Sequence, residues 1–97
     1  MNLQMDRQNR IDIVCELRAI TFNLATLVCT VEGEQSCYQI LSKIGSIHQA
    51  LRSLRRSLIA HQIQECIFVI QNQHDAKTQL RELSQLQDLF REMIQNP

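Results

Sequence analysis

A long amphipathic segment in the middle of the chain restricts the fold more than any other feature of the sequence. From Cys37 to about Gln71, apolar residues recur at helical spacing, and the segment contains one glycine and no proline. It predicts one helix of roughly 35 residues, about three times as long as an average globular helix. A helix this long is usually held by partner helices, which favours a helical bundle. The apolar positions are Ile40, Leu41, Ile44, Ile47, Leu51, Leu54, Leu58, Ile63, Ile67 and Ile70.

Shorter amphipathic segments lie on either side of this helix. The first predicts a helix from about Asp6 to Val31, which is followed by the letters EGEQS. Within EGEQS, Gly33 is expected to adopt the left-handed conformation that ends a helix, and Ser36 is expected to cap the next helix. After the polar letters QNQHD, Asp75 is the expected N-cap of a third helix that reaches Ile94. The sequence therefore predicts an all-α protein with three helices.

The size and charge of the chain limit the kinds of protein that it can be. Its 97 residues predict a single domain over 1–97, and so short a helical chain usually gains buried surface by oligomerising. Ten basic residues balance ten acidic ones, so net charge does not indicate a nucleic-acid binder. The N-terminus is too polar for a signal peptide, and the most apolar stretch, ITFNLATLVCTV, is too short to span a bilayer. We therefore expect a cytoplasmic protein with reduced cysteines and without a CxxC zinc site.

Cys37 and Cys66 lie near opposite ends of the long predicted helix. The 29 steps between positions 37 and 66 separate them by roughly 43 Å along the helix axis. At about 100° per residue they nevertheless lie about 20° apart around the axis, and therefore on nearly one face. Two copies of the helix packed antiparallel bring Cys37 of one chain beside Cys66 of the other, at both ends. The spacing thus predicts a homodimer with two identical two-thiol sites between the subunits.

Three interpretations fit such a pair of thiols. As thiolates they bind a soft metal such as Cu(I). With one thiol ionised they react with an oxidant, a persulfide or an electrophile. Alternatively, both are small buried hydrophobic residues, as free cysteines often are, and spacing alone leaves these interpretations open. Near Cys66, Gln62 lies one turn earlier on the same face, whereas His61 points about 100° away from Gln62.

The stretch from Ile20 to Ile67 resembles the CsoR/RcnR family of small all-helical transcriptional repressors. The resemblance depends on Cys37 in GEQSCYQILSKI, on Cys66 in LIAHQIQECI, and on the letters ALR ending at Arg52 in IGSIHQALRSLRRSL. It covers about half of the chain without a gap. It implies a three-helix protomer, an antiparallel four-helix-bundle dimer and a disc-shaped homotetramer. It also implies that an effector bound between subunits weakens binding to operator DNA.

The resemblance also bears on the identity of the effector. Copper sensors of the family hold Cu(I) with two cysteines and a histidine, and the histidine position here is Gln62, an amide that binds Cu(I) poorly. Two thiols without this histidine look more like the sulfur-sensing branch, in which a disulfide or sulfur bridge links the cysteines. We expect Cys37, near a helix N-terminus, to be modified and Cys66 of the neighbouring subunit to resolve it. The alternative effector is Cu(I) or another soft metal, held by Cys37, Cys66 and a shifted His61. Formaldehyde remains an open alternative as the effector, and nickel or cobalt fits these site residues less well.

Four further positions are interpreted with respect to this site. Tyr38 follows Cys37 and is expected either to pack over the site or to lie in an ordinary interface. Glu82 is interpreted as a solvated surface glutamate, and the alternative is that it occupies the position of an outer carboxylate of the copper sensors. Cys15 and Cys29 match no family ligand and are interpreted as packing residues.

Arginines on two helices are the candidates for binding DNA. Arg52 matches a family arginine on the face that meets DNA, Arg55 and Arg56 enlarge this basic cluster, and Arg18 is a further candidate from the first helix. However, the first helix has AITFNLATL where the family usually has R-I-E-G-Q-V-R-G-I, so both motif arginines are missing. A helical assembly or adaptor protein that has lost DNA binding is therefore the competing function. No acid–base pair or cofactor motif indicates an enzyme.

Overall fold

The computed structural model describes residues 7–95, and these form three helices joined by short connections. Helix α1 spans Arg7–Glu32, α2 spans Cys37–Asn72 and α3 spans Ala76–Gln95. Within the described residues there is no strand, so the prediction of an all-α chain with three helices is confirmed. The expected start of the first helix at Asp6 lies outside the described residues.

The described residues divide into two compact units, and α2 contributes to both. One unit, residues 7–54, contains α1 and the first part of α2, and its buried apolar residues are Ile20, Ile47 and Leu54. The other, residues 55–95, contains the rest of α2 and α3. Its core is the cluster of Ile59, Cys66 and Leu89, against which Ile63 and Leu86 pack. The single domain over 1–97 stays a prediction.

The end of α1 differs from the sequence prediction in one residue. Gly33 does not have a positive φ; Glu34 does, with φ of 58°. The Glu34 N–H donates to the Val31 carbonyl at 3.2 Å and the Gln35 N–H to the Thr30 carbonyl at 3.3 Å, which is the hydrogen-bond pattern of a Schellman motif. The prediction for Gly33 was therefore wrong, because α1 continues to Glu32 and places the left-handed position one residue later.

Replacing Glu34 with glycine is expected to stabilise the protein by roughly 0.5–1 kcal/mol, because glycine adopts a positive φ without the steric cost of a Cβ atom. Urea unfolding at fixed protein concentration measures the effect. The matched control is Glu32→Gly, which introduces the same residue into the last helical position of α1 and should destabilise instead. A loss of stability in Glu34→Gly would contradict this account of the turn.

The start of α2 is fixed by a reciprocal pair of hydrogen bonds. The Gln39 N–H donates to Ser36 Oγ at 3.2 Å, and the Ser36 N–H donates to Gln39 Oε1 at 3.3 Å. This is a capping box, and it confirms Ser36 as the N-cap. Cys37 is consequently the first residue of α2.

The connection between α2 and α3 is also closed by side chains. Asp75 Oδ2 accepts hydrogen bonds from the Thr78 hydroxyl at 2.8 Å and from the Thr78 N–H at 3.2 Å, which confirms Asp75 as the N-cap of α3. These bonds hold the pKa of Asp75 below its usual value, the hydroxyl contributing most. Gln79 Nε2 donates to the carbonyls of Gln73 and Ile70 at 2.8 and 3.2 Å, so an α3 side chain satisfies acceptors at the end of α2.

Helix α1 exposes much of its apolar surface in the protomer. Only Ile20 of its residues is fully buried. By length and composition the whole helix is apolar enough to cross a membrane, with an 18-residue window of mean hydropathy 1.5, of which 6% is buried. The stretch ITFNLATLVCTV is too short to span a bilayer by itself, but it is only part of this longer apolar helix. Length and composition do not distinguish a membrane span from a helix that another protein surface covers. The exposed residues are Ile11, Val14, Leu17, Phe22, Leu24, Val28 and Val31.

Candidate functional site

The Cys66 thiol lies in the core of the unit formed by residues 55–95, where α2 packs against α3. Its exposed fraction is 0%. Gln62, one turn earlier on α2, donates from Nε2 to Cys66 Sγ at 3.9 Å, and the thiol donates to Gln85 Oε1 of α3 at 3.9 Å. The two amides thus hold the sulfur between the helices.

Among the charged residues, Glu82 of α3 has the largest effect on the pKa of this thiol. Its side chain is only 12% exposed. The pKa of Cys66 is raised above its ordinary value, first by burial and then by the Glu82 carboxylate as a potential acceptor for the thiol proton. The charges of Glu82 and Glu65 raise the pKa further, whereas the hydrogen bond from Gln62 lowers it. The prediction that Glu82 is a solvated surface glutamate was therefore wrong, because its side chain packs beside Cys66 and is only 12% exposed. Cys66 is a thiol at neutral pH.

Gln62 carries the one unsatisfied polar atom found among the buried side chains of the described residues. The residue is 5% exposed, and its Oε1 has no hydrogen-bond partner, although its Nε2 contacts Cys66. An unpaired buried acceptor is costly, because it has lost its water without gaining a donor. The oxygen is consequently a buried acceptor without a donor, beside the thiol.

A groove of about 530 Å³ runs beside this cluster, between α2 and α3 of the same unit. Most of its wall is polar. Gln62, Glu65 and Val69 line it from α2, and Arg81, Glu82 and Gln85 line it from α3. The groove therefore lies over the residues that surround Cys66.

Cys37 is in a contrasting environment, in the unit formed by residues 7–54. It is exposed at the first position of α2. Tyr38 is 81% exposed and lines a hollow of about 400 Å³ together with Gln39 and Lys43. Within this protomer Tyr38 does not pack over a site. Cys15 and Cys29 are exposed in the protomer as well, and a packing role for them stays a prediction.

The residues beside Cys66 in one protomer supply two amides and a carboxylate. Among residues 7–95 of one protomer, no three His, Cys, Asp or Glu side chains come together in a way that could hold a metal ion. The position beside Cys66 that would supply an imidazole supplies the hard oxygen and nitrogen of Gln62, which suit Cu(I) poorly. His61 is partly buried and is not among the residues that line the groove. Binding of Cu(I) by Cys37, Cys66 and His61 across subunits stays a prediction.

The candidate DNA-binding arginines differ in what they contact. Arg55 forms an ion pair with the Glu92 carboxylate and also donates to the Glu92 carbonyl at 3.2 Å, so it ties α2 to the last turns of α3. Arg18, Arg52 and Arg56 are exposed. Arg55 thus has a structural role that the sequence prediction did not include.

Two residues of the Cys66 environment were missed at the level of sequence. Gln85 accepts the thiol hydrogen bond, and Glu65 lines the groove and contributes to the raised pKa of Cys66. Gln85 lies three positions after Glu82, on the same face of α3, and this spacing is the signal that could have identified it. Glu65 is adjacent in sequence to Cys66 and carries no comparable signal.

Comparison with known proteins identifies a family. The model of a protein family described as metal-sensitive transcriptional repressor matches residues 9–92, a range that contains Cys37, Gln62, Cys66 and Glu82. No curated protein and no solved structure matches the chain. The matched range includes most of α1 and α3 and all of α2.

Proposed function

Because the chain belongs to the metal-sensitive transcriptional repressors, the CsoR/RcnR family, we propose that it is a repressor whose operator binding is weakened when reactive sulfur joins Cys37 to Cys66 of a neighbouring subunit. The family consists of transcriptional repressors and not of enzymes. The observation that carries the sulfur chemistry is the environment of Cys66, where two amides and a carboxylate surround the thiol and no imidazole does.

The proposal assigns different roles to the two thiols. Cys37 is exposed at the first position of α2, so it is the thiol that meets the effector. Cys66 is buried and its pKa is raised, so it reacts second. This order separates detection of the effector from the covalent link that changes the assembly.

The chemistry balances with a hydropolysulfide as the oxidant. The Cys37 thiolate attacks a sulfur atom of HS–SH, forms a persulfide and releases HS⁻. The thiolate of Cys66 from the neighbouring subunit then attacks the Cys37 sulfur, forms the disulfide and releases a second HS⁻. The two thiols lose two electrons and the S–S bond of the effector gains them.

An antiparallel homodimer, and a tetramer of two such dimers, is part of the proposal. It brings Cys37 and Cys66 of different subunits together, and it covers the apolar residues that α1 exposes in the protomer. Covering this surface by self-association in the cytoplasm accounts for the apolar character of α1 without a membrane. Arg52, Arg56 and Arg18, which are exposed, are the proposed phosphate contacts on operator DNA.

Treatment of the reduced protein with inorganic polysulfide is expected to give covalent dimers on a non-reducing gel, with mass spectrometry identifying a Cys37–Cys66 link between chains. Cys37→Ser and Cys66→Ser should each abolish the dimer, and Cys15→Ser with Cys29→Ser should retain it. A product that stays monomeric, or a dimer that persists in Cys37→Ser, would count against the proposal.

The same samples decide whether DNA binding accompanies this chemistry. A mobility-shift titration on the DNA upstream of the gene, at several salt concentrations, should show binding that weakens with salt and is lost after polysulfide treatment. Cross-linking without salt-dependent DNA binding would favour the competing function, a helical adaptor that lacks the first-helix arginines of the family.

A further inference from the structure

The groove between α2 and α3 has the polar wall of a small-molecule site. Its volume of about 530 Å³ lies within the range of roughly 300–1,000 Å³ that is typical of ligand pockets. Groups of both charges line it, since Glu65 and Glu82 are acidic and Arg81 is basic. Most ligand pockets are mainly apolar, so this composition indicates a ligand that is itself charged or polar along most of its surface.

Gln62 gives this groove an independent requirement for a hydrogen-bond donor. The side chain lines the groove, is 95% buried because its exposed fraction is 5%, and has an Oε1 atom without a partner. An unpaired acceptor in such a position can accept from an N–H or O–H group, whether of a ligand or of a water molecule.

Next to this acceptor lie two adjacent residues of opposite charge. Arg81 Nε and Glu82 Oε1 are 4.0 Å apart, a long ion pair, and the Arg81 side chain is 67% exposed. A guanidinium has five N–H donors, and a carboxylate accepts at two oxygens, so both residues retain capacity for a ligand. A simple cation would pair with the Glu82 carboxylate but would be repelled by the Arg81 guanidinium. A simple anion would pair with Arg81 but would be repelled by Glu82.

We propose that this groove binds the zwitterionic head of an α-amino acid. The ligand ammonium donates to Gln62 Oε1 and to the Glu82 carboxylate, and the ligand carboxylate accepts from the Arg81 guanidinium. The ammonium and carboxylate of an α-amino acid are attached to one carbon atom, which suits binding groups on two neighbouring residues of α3.

One consequence of this proposal, a preference among sulfur donors, rests on the proposed function. If sulfur is the effector, an amino-acid site in the wall that covers Cys66 gives the repressor a preference for sulfur carried on cysteine over inorganic polysulfide. The recognition of the amino-acid head itself does not depend on DNA binding or on Cys37.

Calorimetry with four small probes under reducing conditions tests the recognition of the head. L-Cysteine and L-serine should bind with similar affinity, whereas cysteamine, which lacks the carboxylate, and 3-mercaptopropionate, which lacks the ammonium, should each bind at least tenfold more weakly. Arg81→Gln should weaken L-serine at least tenfold and leave cysteamine unchanged. Gln62→Leu should weaken L-serine and cysteamine alike. Arg91→Gln, an exposed arginine of α3 that pairs with Asp88 outside the groove, is the matched control and should bind like the wild type.

Equal binding of L-cysteine and 3-mercaptopropionate, or unchanged L-serine binding in Arg81→Gln, would overturn the proposal. Since Arg81 is exposed, its variant should fold even if Gln62→Leu does not. Cross-linking separates this result from the proposed function. Polysulfide cross-links without amino-acid binding would refute the amino-acid site and leave sulfur sensing in place. Amino-acid binding without cross-links would refute sulfur sensing and leave the amino-acid site in place. If both hold, cysteine persulfide should cross-link the wild type faster than polysulfide does, and Arg81→Gln should remove that advantage.

Discussion

Gln62→His is expected to raise the affinity of the protein for Cu(I) by about 100-fold or more, because the loss of even an outer partner of a metal site typically changes affinity 10–100-fold. The variant places an imidazole at the buried position next to Cys66. With Cys37 of the neighbouring subunit it would complete the two-cysteine, one-histidine set of the family's copper sensors. The change also removes the unpaired Gln62 oxygen from the core.

Competition with a Cu(I) chelator of known affinity measures the gain. Gln64→His is the matched control, because Gln64 is an exposed residue of the same helix and an imidazole there should change Cu(I) binding little. The gain should disappear when Cys37→Ser is combined with Gln62→His. Unchanged affinity in Gln62→His would mean that Gln62 does not occupy the family's histidine position. Gln62 would then no longer favour sulfur over Cu(I) as the effector.

The local elements of the fold could be predicted from the sequence because short-range chemistry determines them. Ser36 and Asp75 act as N-caps through hydrogen bonds to residues three positions later, and such bonds depend only on nearby letters. The left-handed residue at the end of α1 was assigned to Gly33 because glycine favours a positive φ. The chain instead uses Glu34, since the hydrogen bonds that end the helix, and not glycine preference, determine that position.

The environment of the candidate site was less predictable, because it depends on how α2 packs against α3. Spacing placed Gln62 beside Cys66 correctly, since both are on one helix. It could not show that Glu82 reaches Cys66, because the connection between the helices determines which residues face each other. The difference between an exposed Cys37 and a buried Cys66 also follows from packing. The assembly stays a prediction, and α1 exposes the apolar surface that such an assembly would cover.

The raised pKa of Cys66 makes the second step of the proposed chemistry dependent on pH. While Cys66 is mainly a thiol, its thiolate fraction, and hence the rate of cross-linking after Cys37 is persulfidated, should rise about tenfold per pH unit. The same pKa affects stability in the alkaline range. The unfolded chain loses this proton at a lower pH than the folded chain, so the free energy of unfolding falls as the pH rises above the ordinary value of a thiol toward the raised pKa of Cys66.

Two substitutions should move this pKa in opposite directions. Glu82→Gln removes a carboxylate that raises the pKa of Cys66 both as a potential acceptor for the thiol proton and through its charge, so cross-linking at pH 7 should become severalfold faster. Gln62→Leu removes the hydrogen bond that lowers the pKa, so cross-linking should become slower.

Ultraviolet absorbance of the thiolate during a pH titration, in a background with Cys15, Cys29 and Cys37 changed to serine, measures the pKa directly. Glu92→Gln is the control, because it removes a carboxylate of α3 that pairs with Arg55 and should leave the titration of Cys66 unchanged. If Glu82→Gln and Gln62→Leu shifted the cross-linking rate in the same direction, the rate would not be governed by ionisation of Cys66, and opening of the packed α2–α3 core would have to limit it.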